Sequence, residues 1–199
     1  MQVRKITSKE DEERKRARNI RWISIILAGI MLFSSLGYFA SDITGSKKVS
    51  QTYNGLEFTQ TDYGTWTFSA NDLDFETKFN PSQTENISIS LGKNLGDYSN
   101  RPLYFGADSA AEISTLGNNE LARNIQNFVT KMQASCLTES CVEDNPIKNC
   151  SSDNVLIFKS SSDNSSRINA DDNCITLEYS QGDEERVADA FLFRIFGVQ

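Results

Sequence analysis

An uncharged stretch from Trp22 to Ala40 constrains this 199-residue chain more than any other feature. It contains 19 residues. At about 1.5 Å per helical residue, a helix of this length nearly spans a hydrocarbon core of about 30 Å. The sequence therefore predicts one transmembrane helix over residues 22–40, with the lipid bilayer as its direct partner.

Positive charge predicts the orientation of this helix. Eight Lys and Arg residues precede it, whereas only Lys47 and Lys48 follow it closely. Because Lys and Arg beside a span stay in the cytoplasm, we expect residues 1–21 to form a cytoplasmic basic tail and residues 41–199 to lie outside the cell. The predicted location is thus the cell membrane, with a single-pass signal-anchor.

Three alternatives to an uncleaved anchor stay open. A cleaved signal peptide has a basic leader, but this apolar run exceeds the usual 7–15 residues and bulky Tyr38 precedes the best cleavage site, after Ala40. A prepilin would need Gly or Ala before its processing site, and Arg21 interrupts the start of the helix. The third alternative is a buried helix of a soluble protein.

All four cysteines follow the apolar stretch, which indicates disulfides formed in an oxidising compartment. A zinc site is the competing interpretation, but a C-x2-C pair is missing and the chain contains no histidine. We therefore expect no metal. The cysteines are Cys136, Cys141, Cys150 and Cys174.

Charge differs between the two parts of the chain. Residues 1–40 carry 8 Lys/Arg against 4 Asp/Glu, and residues 41–199 carry 12 against 23, a net charge of −11. An acidic surface disfavours nucleic acids, whose phosphates attract Lys and Arg, so we expect no nucleic-acid partner.

Residues 41–48 are polar and predict a linker, followed by one extracytoplasmic α+β domain over residues 49–199. Alternating apolar residues predict a three-stranded antiparallel meander, whose turns contain Asn54-Gly55 and Gly64. Its outward side chains would be mostly polar: Glu57, Thr59, Thr65, Thr67, Asp74 and Glu76. Further strands are predicted at residues 87–91, 103–105, 155–158 and 175–179.

Helices are predicted on one face of this antiparallel sheet, two or three in all. Ser109 and Glu112 suggest a capping box for a short helix that breaks at residues 117–119. A longer amphipathic helix would follow, its apolar face running from Leu121 to Met132, and a last helix would span about 183–196.

The order of these elements favours one of the three possible cysteine pairings. Cys136 and Cys141 flank a four-residue loop after the long helix. Cys150 and Cys174 each precede a predicted strand, so a disulfide would join them if the two strands are neighbours. We therefore predict Cys136–Cys141 and Cys150–Cys174. A thiol oxidoreductase is disfavoured because its cysteines are two residues apart at a helix N-terminus.

A pattern that covers nearly all of residues 50–199 consists of residues 53–58, Trp66, residues 79–81, Cys136, Cys141, Pro146-Ile147, Cys150, residues 173–175 and residues 191–197. This pattern resembles that of a set of small archaeal single-pass membrane proteins with an exported, disulfide-containing domain and no assigned activity. The resemblance implies a membrane location and disulfides, and it transfers no functional residue.

The sequence contains no catalytic signature: histidine, the P-loop, G-x-G-x-x-G and G-x-S-x-G are all missing. We expect a binding or assembly module of the cell envelope, without a cofactor, that contacts other envelope or membrane proteins. Tyr98 and Tyr104 are the candidate interaction residues, against the alternative that both simply cover the core. The other function class is an envelope enzyme, either a hydrolase that uses carboxylates or a thiol-disulfide protein.

Overall fold

The computed structural model describes residues 13–14, 16, 18–31, 49–70, 72–107, 114–139 and 144–199. The chain divides into two compact units, Met1–Lys47 and Lys48–Gln199.

The first unit contains helix α1, described continuously over residues 18–31. In the part of the chain that the structure describes, no helix is both long and apolar enough to cross a bilayer. The prediction of a transmembrane helix over residues 22–40, and of a single-pass membrane location, is therefore wrong on this finding. The described part of that stretch, residues 22–31, would reach only about 15 Å as a helix. Residues 32–40 lie outside the described residues.

The second unit begins with a four-stranded antiparallel sheet in the order β1-β2-β3-β4. Asn54 and Gly55, with φ angles of 46° and 82°, form the predicted tight turn between the first two strands. The strand before this turn was not predicted, because its sequence is polar. The strands are β1 (Ser50–Tyr53), β2 (Leu56–Gln60), β3 (Trp66–Ala70) and β4 (Leu73–Thr77).

A six-stranded mixed sheet follows, in the order β5-β9-β10-β8-β6-β7. Strands β7, β6, β8 and β10 run parallel to one another, so the prediction of a single antiparallel sheet is wrong. The physical reason is the helical crossover between β6 and β7, which returns the chain in the same direction. The strands are β5 (Ser88–Ser90), β6 (Pro102–Ala107), β7 (Lys131–Cys136), β8 (Asn154–Ser160), β9 (Arg167–Asp171) and β10 (Cys174–Tyr179).

The described residues of this unit form four helices. Two are single turns, α2 (Pro81–Thr84) and α3 (Leu95–Tyr98), and both begin with an asparagine capping box. The longer helices are α4 (Thr115–Ile125) and α5 (Glu184–Ile195). Gly197, with φ of 74°, follows α5 as predicted.

The predicted break at residues 117–119 is wrong, because Gly117 lies inside α4. A Cβ at Gly117 would be 2.3 Å from the Phe158 ring, so this glycine permits α4 to pack directly on β8. Ser114 caps the helix by accepting a hydrogen bond from the Gly117 N–H at 3.1 Å. The predicted capping box at Ser109 and Glu112 lies outside the described residues.

Helices α4 and α5 lie between the two sheets. The predicted face of α5 packs into the main core against the six-stranded sheet; its residues are Ala188, Phe191, Leu192 and Ile195. On another side of the same helix, the Phe193 ring lies 5.9 Å from both the Phe58 and Phe68 rings of the four-stranded sheet. Because α5 is covered from two sides, a polar residue in its middle turns has no access to water.

Candidate functional site

The outward face of the four-stranded sheet forms an open concavity of about 620 Å³. Two-residue periodicity places the side chains of Glu57, Thr59, Thr67, Ser69 and Asp74 on this face, opposite the aromatic core side chains. We call this surface the acceptor face. Its lining residues are Gly55, Leu56, Glu57, Thr59, Thr67, Phe68, Ser69 and Asp74.

Oxygen atoms dominate the polar chemistry of the acceptor face. The Thr67 hydroxyl donates to the Thr59 carbonyl at 3.2 Å, and the Ser69 hydroxyl donates to Asp74 Oδ1 at 2.5 Å. Both hydroxyl protons are therefore committed within the protein, whereas the oxygen lone pairs and the Glu57 carboxylate face solvent. Within the described part of the chain, no Lys, Arg, Asn or Gln side chain lines this concavity. The surface is suited to a ligand that donates hydrogen bonds and carries positive charge.

A second feature is internal. The carboxyl groups of Glu120 on α4 and Asp189 on α5 lie within hydrogen-bonding reach of each other. Their residues are 1% and 0% exposed. Asp189 Oδ2 accepts a hydrogen bond from the Phe79 N–H at 2.8 Å, and Arg123 Nη2 lies 3.2 Å from Glu120 Oε2. The Lys78 backbone N–H also approaches Glu120 and lowers the pKa of its carboxyl group, but among the described residues no donor makes a well-aligned hydrogen bond to Asp189 Oδ1 or to either Glu120 carboxyl oxygen.

Electrostatics push both carboxyl groups of this pair towards the protonated form. Burial raises the pKa of Asp189 well above its ordinary value, and the negative charge of Glu120 raises it further. Burial also raises the pKa of Glu120, but Arg123 opposes that effect. Because Arg123 lies 3.2 Å from Glu120, a single negative charge within the pair is better placed on Glu120 than on Asp189.

Glu120 and Asp189 are the residue types of a catalytic acid–base dyad, but they lack the access to substrate and water that such a dyad has. A hydrolase needs at least one of its carboxyl groups within reach of substrate and water. Neither the acceptor face nor a second concavity, of about 380 Å³ beside Tyr53 and Arg194, is lined by Glu120 or Asp189. The geometry thus favours a role inside the fold over a role in hydrolysis.

Both candidate interaction tyrosines are buried. Tyr98 is 1% exposed, and its ring lies 5.8 Å from the Phe191 ring in the main core. Tyr104 is 6% exposed, and Lys148 Nζ lies 4.3 Å above its ring. Neither presents a surface to a partner in this conformation, so their predicted contact with a partner stays a prediction.

One predicted disulfide is confirmed. Cys150 and Cys174 form a disulfide, and Cys174 pairs with Val155 in the parallel register of β10 and β8, which are neighbours as the pairing required. Cys136 is also disulfide-bonded. Its expected partner Cys141 lies outside the described residues, so that pairing stays a prediction.

In the described residues, no group of three or more His, Cys, Asp or Glu side chains is arranged to hold a metal ion. No protein-family model, curated protein or solved structure matches the chain. The chemistry of its own residues is therefore the basis for a functional proposal.

The acceptor face contains four residues that the strand pattern predicts to point outward, Glu57, Thr59, Thr67 and Asp74, although polarity alone argues against a binding surface there. No sequence pattern predicts the pair of Glu120 and Asp189. The available signal for Asp189 was that it is the lone carboxylate within the otherwise apolar run Val187–Phe193.

Proposed function

We propose that residues 49–199 form a non-enzymatic protein-binding module, and that the acceptor face docks a basic, extended segment of a partner protein. The observation that carries this proposal is the lining of the concavity: carboxylates and hydroxyl oxygens whose protons are largely used within the sheet. Such a surface receives N–H donors and repels phosphates and other anions.

Charge complementarity favours a basic partner. Glu57 and Asp74 lie on separate strands, and Glu76 lies on β4 opposite Thr67, so negative charge extends across the face. The surrounding part of the chain, residues 41–199, also has a net charge of −11. Its field would speed the approach of a basic segment and make binding sensitive to salt.

An extended segment fits the geometry better than a helix. Side chains of an extended peptide alternate between its two faces, so every second residue points the same way. Basic residues at alternate positions could therefore reach Glu57 and Asp74, while the residues between them face solvent.

A binding titration tests the proposal on the full chain. The probe is a labelled eight-residue peptide that alternates lysine and threonine, and the reference is the same peptide with glutamate in place of lysine. We expect binding of the lysine peptide alone, weakened by added salt. The double variant E57K/D74K should bind it at least tenfold more weakly, because two attractions become repulsions.

The matched control is E139K/D171K, which makes the same change in net charge at two exposed positions away from the acceptor face. It should retain most of the affinity, and circular dichroism should show that both variants are folded. Equal loss of affinity in the two double variants, or equal binding of the glutamate peptide, would contradict the proposal.

A further inference from the structure

We propose that Glu120 and Asp189 share one proton in the folded protein, and that loss of this proton loosens the four-stranded sheet from helices α4 and α5. The inference does not depend on what binds at the acceptor face.

A proton between the two groups would give a partner to oxygens that the surrounding protein leaves without a well-aligned hydrogen bond. As carboxylates, both would offer only acceptor oxygens, and three of these four oxygens meet no well-oriented donor among the described residues. The fourth, Asp189 Oδ2, accepts from the Phe79 N–H. A proton on Asp189 Oδ1 that is donated to Glu120 satisfies both groups at once.

Charges around the pair permit one negative charge but not two. On α4, Arg123 contacts Glu120 at 3.2 Å and also lies 3.9 Å from Glu76 Oε1 on β4. On α5, Glu185 adds negative charge near both carboxyl groups, and its own ion-pair partner is Lys78, at 3.9 Å. The guanidinium of Arg123 thus balances Glu120, and nothing described balances an ionised Asp189.

The pair is placed where it can act on the sheet. Asp189 holds the backbone just after β4 through Phe79. One turn after Glu120, Asn124 holds β4 itself by two hydrogen bonds to the backbone of Glu76. A second buried negative charge would repel α4 from α5, and it would therefore strain both attachments of β4.

The sign of the pH dependence follows from proton binding. The folded protein keeps a proton that the unfolded chain releases above the ordinary carboxyl pKa, because burial raises the folded-state value. The stabilisation from the shared proton is complete when the pH is below the ordinary carboxyl pKa. It is lost as the pH rises through the higher pKa that the pair has in the folded protein.

Denaturant unfolding of the full chain between pH 5 and 9 tests this proposal. In the pH range in which the folded protein keeps the shared proton and the unfolded chain has released it, the unfolding equilibrium constant of the wild type should rise by up to tenfold for each unit of increasing pH. E120Q and D189N should each remove this rise, since a carboxamide N–H donates at every pH. The matched control E185Q, which changes a nearby carboxyl group outside the pair, should keep it.

Two further measurements keep the proposal falsifiable if a variant does not fold. The infrared spectrum of the wild type at pH 7 should contain the band of a protonated carboxyl group. Hydrogen exchange at the Glu76 N–H should accelerate with rising pH more steeply than base catalysis alone predicts, because the hydrogen bond to Asn124 opens.

The proposal is overturned if E120Q and D189N both keep the wild-type pH dependence, or if the infrared band is missing. It is also overturned if Ca²⁺ or Mg²⁺ stabilises the wild type but not D189N, since the pair would then hold a cation.

Discussion

The side-chain amide of Asn124 pairs with both backbone polar groups of Glu76, as a neighbouring strand would. Asn124 Oδ1 accepts from the Glu76 N–H at 3.1 Å, and Asn124 Nδ2 donates to the Glu76 carbonyl at 2.8 Å. The same nitrogen donates to the Glu120 carbonyl at 3.0 Å within α4. At this position the free edge of β4 is closed by a helix, so the sheet is tied to α4 and protected from pairing with another chain.

We predict that N124A destabilises the domain by about 2 kcal/mol, because it removes both bonds to Glu76 and leaves a partly buried N–H without its partner. Denaturant unfolding measures the change. N119A, at an exposed position of the same helix, is the control and should change stability by less than about 0.5 kcal/mol. Equal effects of the two variants would show that the pairing contributes nothing.

Gly117 should not tolerate a methyl group, although alanine is the better helix former. Its Cβ would lie 2.3 Å and 2.4 Å from two ring atoms of Phe158. We expect G117A to lower the free energy of unfolding by about 1–3 kcal/mol, as other substitutions that overpack a core do. G117A/F158L should cost less than the sum of the two single variants. G92A, whose Cβ meets nothing within 4 Å, is the control, and a neutral G117A would refute the close packing.

Acid should weaken the N-terminus of α5 through Asp183. Burial acts to raise the pKa of Asp183, but Arg186, Ser180 and Ser166 together hold it below its ordinary value. This stabilisation is present when the pH is above the ordinary aspartate pKa. It is lost as the pH falls through the lower pKa that Asp183 has in the folded protein. We expect D183N to lower the free energy of unfolding by about 1 kcal/mol at pH 7, and we expect this difference from the wild type to become smaller as the pH falls.

Unfolding of D183N and of the wild type at pH 7 and at successively lower pH measures this difference. E184Q removes the same charge from the first turn of the same helix and serves as the control. A cost of D183N that is constant with pH would contradict the assignment.

The disulfide between Cys150 and Cys174 should be a main source of stability. It closes a loop with a sequence separation of 24, for which the chain-entropy model gives about 3–4 kcal/mol. C150S/C174S should lower the free energy of unfolding by about that amount. Peptide mapping without reduction should recover Cys150–Cys174 and Cys136–Cys141 as linked pairs, and linkage of Cys136 to Cys150 or Cys174 would exclude the predicted pairing.

Local chemistry explains which elements were predictable. Asn54-Gly55 requires positive φ angles, Gly197 stops a helix, and the apolar run at residues 155–158 is typical of a buried strand. These predictions depend on a few neighbouring residues, and the structure confirms them.

Strand direction and three of the strands, β1, β7 and β9, were not predictable in this way. Leu121, Ile125, Phe128, Val129 and Met132 fit a helical spacing, yet α4 ends at Ile125 and Met132 belongs to β7. Periodicity over so few residues fits a helix followed by a strand equally well. Whether β8 and β10 are parallel depends on the path of the chain between them, and polar β9 gave no hydrophobic signal.

The acceptor face was predicted only as a polar outward face, and the carboxyl pair was not predicted at all, for different reasons. The polarity of the acceptor face is common to all solvated sheet faces, and only its curvature distinguishes it. Glu120 and Asp189 are 69 positions apart in the sequence. They meet because α4 and α5 pack against each other, a tertiary contact that no local pattern encodes.

Amide chemical-shift mapping of the full chain, titrated with the alternating lysine–threonine peptide, tests the binding proposal most directly. We expect progressive, saturable shifts that cluster on the acceptor face, at Glu57, Thr59, Thr67, Ser69 and Asp74, and that require at least tenfold more peptide in E57K/D74K. Shifts confined to the six-stranded sheet, or an unchanged acceptor face at saturating peptide, would contradict it.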